Sequence, residues 1–336
     1  RATSVIPGGD TGLQVCTIGA RRLRQVDTVI PRNIVAFVAF ALLCVAQGAQ
    51  GQGWPADQWL DQPVGDEVFD TYLDFFRYDD AIPLDRTVRE VTDQDGMRVE
   101  LITYVGTPGE IVTAHHYAPS AGNSIQRPYV ILLHGGGRRG KMGMARLAGV
   151  LVREGFNALA LDMKHFGERE SGLMETFTEL DKHEKLYNQE SLYLSWAAQT
   201  VKDVGRGYDL LVTEYGADSE KIALIGNSRG AVAAMIAGGA DQRLAAVGVI
   251  NGGHFDRGER KHMGAACPAN YIPRIGPRPL FFLNGQYDSD FDPERSVRPI
   301  HVLAPDAEIL WAEAGHEYPS EESLEIFTDW LGVAIR

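Results

Sequence analysis

The 336-residue chain, 44% apolar and 23% charged, is long enough for one large α/β domain with a substantial core, or for two smaller domains. Its formal net charge of −13 argues against nucleic acid as a partner, because such partners select a basic face. Only Cys267 of the 3 cysteines lies outside residues 1–49, and no Cys-x-x-Cys or His-x-x-x-His spacing points to a structural metal.

Arg21, Arg22, Arg24 and Arg32 precede the unbroken apolar run 34–46, and the small-residue stretch Ala46-Gln47-Gly48-Ala49 follows it. Positive region, short apolar region and small-x-small site predict that residues 1–49 are an N-terminal extension with a secretory signal, giving a secreted or periplasmic product. A membrane span needs about 20 apolar residues, so no stable span is expected after signal removal. A buried core helix is the rival reading of the same run. Residues 50–86 are polar and aromatic (Trp54, Trp59, Phe69, Tyr72, Phe75, Phe76, Tyr78) and predict one or two short helices packed on the main domain.

From residue 87 onward the pattern becomes strands, then strands alternating with helices. Segments 98–105 and 111–117 read as antiparallel edge strands. Tyr129-Val130-Ile131-Leu132-Leu133 is continuously apolar, as in a strand covered on both faces. A helix is expected over 144–154, a buried strand over 156–163, and a long helix over 188–215 with Leu194, Ala197, Val201, Val204, Tyr208 and Leu211 on one face. Strand 221–226, helix 230–239, strands 245–250, 279–284 and 308–312, and helix 321–331 complete the chain. Strands alternating with helices predict a mostly parallel, doubly wound sheet in residues 87–336.

Gly226-Asn227-Ser228-Arg229-Gly230 lies between an expected strand and an expected helix. A serine hydroxyl is a weak nucleophile until a sharp strand-to-helix turn lifts it toward a base, and that turn admits only glycine two positions to either side. His134-Gly135-Gly136-Gly137 ends the first buried strand. Glycines there let backbone N–H groups approach a developing oxyanion, so Gly136 or Gly137, with the amide of Arg229, forms the expected oxyanion hole. Neither a Gly-x-x-x-x-Gly-Lys-Ser/Thr nor a Gly-x-Gly-x-x-Gly nucleotide pattern fits.

Asp288, three residues after Gly285 at the end of a strand, is the expected acid orienting a histidine. Asp256, Asp290 and Asp292 compete for that role. His316, in Glu313-Ala314-Gly315-His316-Glu317, is the expected base. His134, His254 and Asn227 are candidates to line the pocket, with a structural role in the glycine loop as the favoured reading of His134, and His301 reads as an exposed helical residue. The order Ser228, Asp288, His316 is that of nucleophile, acid and histidine in the strand-turn-helix hydrolases.

On these residues, with Lys141, Asp162 and Gly167-Glu168-Arg169, the chain resembles the α/β-hydrolase superfamily in its dienelactone-hydrolase-like and acetyl-xylan-esterase-like branches. The resemblance covers residues 88–336. It implies an α/β-hydrolase sheet, a Ser–Asp–His triad and no cofactor. It also implies that the Asp162 segment caps the strand beside the site and that Gly167-Glu168-Arg169 is structural. Arg229 departs from the smaller or apolar residue of many members, and its side chain is expected in a salt bridge beneath the elbow, with altered access to the site as the alternative. Dienelactone hydrolases proper carry a cysteine nucleophile, so serine points to an ordinary ester.

The charged insertion 164–189 is a candidate cap or lid, with a plain surface loop as the alternative. Arg138, Arg139 and Lys141 are either a lure for an acidic substrate group or a solvated charge run. The expected activity is hydrolysis of small, short-chain acyl esters, with deacetylation of a carbohydrate such as acetylated xylan as the nearest rival. The rival from another class is a binding protein of the same fold without turnover.

Overall fold

The computed structural model describes residues 58–121 and 127–335, so the expected signal region lies outside the described residues. Two short helices, α1 (Gln58–Asp61) and α2 (Asp66–Leu73), come first, and Phe69 and Phe76 from this stretch enter the core. Nine strands then form a single sheet: β1 (Thr87–Gln94), β2 (Met97–Thr107), β3 (Glu110–Pro119), β4 (Tyr129–Leu133), β5 (Asn157–Leu161), β6 (Ile222–Asn227), β7 (Ala246–Ile250), β8 (Leu280–Gly285) and β9 (Glu308–Ala312). Their spatial order is β1-β2-β3-β5-β4-β6-β7-β8-β9. Strands β1, β2, β3 and β5 pair antiparallel in succession, and all pairs from β5 to β9 are parallel.

The main helices are α3 (Ala145–Arg153), α4 (Glu179–Lys182), α5 (Glu190–Glu214), α6 (Arg229–Ala240), α7 (Arg298–Val302) and α8 (Glu321–Ile335). They cover both faces. Alternate residues of β4 divide between two cores: Ile131 and Leu133 join α5 and α6, while Val130 and Leu132 join α3 and α8. Burial on both faces explains why every residue of β4, β5 and β7 is buried and apolar runs replace alternation.

One edge differs from expectation. Segments 98–105 and 111–117 do pair antiparallel, but β1 lies outside them and is the true edge. All eight of its residues are exposed, so no apolar alternation marks it in the sequence. Strand order reverses at β4: the chain passes from β4 to β5 on one side and returns to β6 on the other. In an open α/β sheet this leaves a crevice at the carboxyl ends of the two strands flanking the reversal.

Candidate active site

Ser228 stands at the end of β6 with φ 54° and ψ −119°, a left-handed conformation that is strained for a residue with a side chain. Its N–H is held by the Ile250 carbonyl at 2.8 Å. The flanking glycines are needed sterically. A Cβ on Gly226 would lie 2.1 Å from the Gly230 carbonyl oxygen, and one on Gly230 would lie 2.4 Å from the oxygens of Leu133 and His134. The turn therefore presses against the end of β4, which brings the glycine loop beside the serine. A Cβ on Gly135 would reach 3.3 Å from the Ser228 Cβ.

Three side chains from three strand ends meet here. Ser228 Oγ lies 2.8 Å from His316 Nε2, and His316 Nδ1 lies 2.8 Å from Asp288 Oδ2. The other oxygen of Asp288 accepts the backbone N–H groups of Asp290 and Phe291 at 2.8 and 3.0 Å, which fixes the carboxylate. Burial disfavours the His316 imidazolium, but the hydrogen bond and charge of Asp288, followed by Asp290 and Glu179, hold its pKa above the ordinary histidine value. An oriented base beside a serine hydroxyl can take its proton, and the first N–H groups of α6, Arg229 included, have no acceptor within their own helix.

The competing acids are otherwise engaged. Asp290 pairs with Arg257 at 3.1 Å, and its Oδ2 lies 3.9 Å from His316 Nε2, on the serine side of the ring. Asp292 caps the turn after it by accepting from Glu294 and Arg295 N–H. Asp256 ion-pairs with the Arg229 guanidinium beneath the elbow. Burial alone would raise Asp256, yet the charge of Arg229 and then the His183 hydrogen bond hold it well below the usual carboxylate range. Arg229 also meets Glu259 at 3.0 Å and Tyr193 Oη at 3.0 Å, and lies 3.9 Å over the Tyr187 ring.

The surrounding pocket has a volume of about 330 Å³ and is lined by Gly135, Gly136, Gly137, Asn227, Ser228, Arg229 and His316 among others. His134 and His254 do not line it. The His134 ring is 1% exposed and accepts the Met163 N–H at 3.1 Å, which ties the glycine loop to the end of β5. His254 is likewise 1% exposed and faces Cys267 instead. His301 is half-buried rather than exposed, with Nε2 at 3.0 Å from the Ala307 carbonyl.

The basic residues after the glycine loop do not line the pocket either. Lys141 is buried between Asp162 and Glu168, at 2.7 Å from each, and Arg138 pairs with Glu170. Asp162 also accepts Thr113 Oγ1 and the Lys141 and Glu168 backbone N–H groups, so this cluster braces the loop.

Sequence reasoning left the insertion's individual residues unassigned. Glu179, Lys182, His183 and Tyr187, all from 164–189, line the pocket. His183 Nδ1 lies 2.6 Å from the Glu179 carbonyl and Nε2 lies 2.7 Å from Asp256 Oδ1. Both neighbours are acceptors, so the ring donates at both nitrogens, which only the imidazolium can do. Burial opposes that charge, but Asp256 and the Glu179 carbonyl raise the pKa above the ordinary value. This bond pins the insertion to the loop after β7. The only sequence signal was a run of polar residues between two buried elements.

No family model and no curated protein matches the chain. Solved structures do. An acetyl xylan esterase from a Paenibacillus species superposes with a TM-score of 0.61 at 15% identity, covering 83% of this chain and 99% of that one. A cold-adapted esterase from an Arctic intertidal metagenomic library gives 0.58 at 17% identity, covering 74% and 98%. Acetyl xylan esterase 1 from a Thermoanaerobacterium species gives 0.55 at 13% identity, covering 84% and 95%. With the nine-stranded sheet and its reversal at β4, these likenesses show that the chain has the α/β-hydrolase fold.

Proposed function

We propose that the protein is a serine carboxylesterase that hydrolyses small, short-chain acyl esters through an acyl-enzyme. The observation that carries this reading is the continuous hydrogen-bonded relay from Ser228 Oγ through His316 to Asp288, opening into a pocket. Ser228 attacks the ester carbonyl carbon as His316 Nε2 takes the hydroxyl proton, and Asp288 stabilises the imidazolium through Nδ1–H. The tetrahedral oxyanion is held by the Arg229 amide and by an amide of the Gly136–Gly137 loop. Collapse expels the alcohol, which receives its proton from His316. Water, deprotonated by the same ring, then releases the acid and restores Ser228.

A volume of about 330 Å³ is at the small end of ligand pockets, which favours short acyl groups. The charged residues Glu179, Lys182, Arg257 and Asp290 along the wall favour a polar alcohol half, so an acetylated carbohydrate is the second reading. The neighbours named for acetyl xylan esterase activity are compatible with it.

The test is hydrolysis of p-nitrophenyl esters from acetate to palmitate, with Ser228→Ala alongside and labelling by a fluorophosphonate. Turnover of the short esters only, lost by at least about 10³-fold in the variant, is expected. A wild type that neither turns over esters nor reacts with the fluorophosphonate overturns the reading in favour of a non-catalytic binding protein.

A further inference from the structure

The connection between β7 and β8, whose Asp256 and Glu259 pair with Arg229, buries His254, His262 and Cys267 together. One donor atom from each lies within 4.8 Å of the others, and His254 Nε2 is 3.2 Å from Cys267 Sγ. The three are 1%, 5% and 0% exposed. We propose that His254, His262 and Cys267 form a buried binding site for a borderline-soft transition-metal ion of the zinc class, which staples this connection.

The main support is unmet hydrogen-bonding capacity. Among the described residues, His254 Nδ1 and both nitrogens of His262 have no hydrogen-bond partner, although buried polar side-chain atoms are ordinarily satisfied. Glu259 Oε1 stands 3.7 Å from His262 Nδ1, beyond hydrogen-bond reach. A thiolate with two imidazoles selects zinc-class ions over calcium or magnesium, which take oxygen ligands.

The distances suit such an ion. Zinc bonds of about 2.0–2.3 Å place donors about 3.3–3.8 Å apart, so the cluster closes by movements of about 1 Å at most. Aromatic rings wall it in. Trp59 of α1 and Tyr193 of α5 stack on His262 with centroids at 6.2 and 6.0 Å, and the Phe255 ring lies at 4.0 Å.

The site has a structural consequence for the pocket. The connection that it would hold also carries Asp256 and Glu259, the two carboxylates that fix Arg229. Its donor spacing matches no familiar sequence motif, so nothing local in the chain announces it.

The test uses the full chain expressed with added zinc, and separately with cobalt, then dialysed exhaustively against a chelator. Elemental analysis should find about one zinc per chain in the wild type and under about 0.1 in Cys267→Ala and in His262→Ala. The cobalt form should show the near-ultraviolet charge-transfer band of a thiolate bound to cobalt. That spectrum needs no variant, so it decides the matter even where a substitution disturbs folding. Wild-type protein with under about 0.1 zinc and no thiolate band overturns the proposal, as does zinc retained equally by both variants.

Discussion

Replacing Arg229 by methionine keeps an unbranched side chain of similar reach but removes the cation from between two buried carboxylates. The two anions fare differently. Asp256 keeps the His183 imidazolium at 2.7 Å and the Gly258 and Glu259 N–H groups at 2.7 and 3.0 Å. Glu259, 1% exposed at its side chain, keeps only the Asp256 N–H at 2.9 Å on Oε2, and Oε1 loses its partner. Breaking one side of a buried ion pair typically costs about 3–5 kcal/mol, and the surviving support of Asp256 places this case at about 3–4. For a domain of this size that lowers Tm by about 6–16 °C.

Urea unfolding at neutral pH measures the loss, and Arg229→Met/Glu259→Gln isolates its origin. Neutralising the stranded carboxylate should recover part of the lost stability. A single variant within about 1 kcal/mol of wild type refutes the account, because the pair would then carry little. A double variant no more stable than the single refutes the assignment of the cost to Glu259.

Further outcomes follow from the geometry around Ser228. In Asp288→Asn, kcat should fall on the order of 10⁴-fold, because the ring loses its fixed tautomer and the partner of its charged form. In the proposed mechanism His316 acts as the neutral base, so wild-type kcat/KM should fall as pH drops through a pKa held above the ordinary value, and the variant's acid limb should move to lower pH. A pH–rate profile with an unmoved limb contradicts that cause. Gly230→Ala should destabilise the fold by at least about 3 kcal/mol, since its Cβ meets two backbone oxygens at 2.4 Å. Gly137→Ala, with nothing within 4 Å of its Cβ among the described residues, should stay within about 1 kcal/mol; equal urea midpoints for the two variants refute the steric account.

The expected helices over 144–154, 188–215 and 321–331 correspond to α3, α5 and α8, with boundaries displaced by a few residues. Their apolar faces repeat at helical spacing because each packs on one side of the sheet. The inner strands were legible for the opposite reason, since β4 and β7 are apolar throughout when helices cover both faces. The exposed edge β1 escaped because its pairing is made by backbone groups, which any side chain can accompany.

The serine elbow, the glycine loop and the place of His316 were readable because each depends on local backbone constraints: a left-handed residue, a close approach or a strand end. What local sequence did not decide was which of four aspartates meets His316. Asp256, Asp288, Asp290 and Asp292 are all loop carboxylates near strand ends, and only the packing of β8 against β9 brings Asp288 Oδ2 to 2.8 Å from the ring. Burial likewise turned His254 from a candidate pocket residue into a partner of Cys267, and Lys141 from a surface charge into the cation of an internal cluster.

The sequence by itself therefore determined the layered sheet and the turn that presents Ser228, because periodicity and glycine sterics act between neighbours in the chain. Only the tertiary structure decided which charges are paired and which rings face one another. Those outcomes depend on distances between residues far apart in sequence, and on burial that strengthens every electrostatic term.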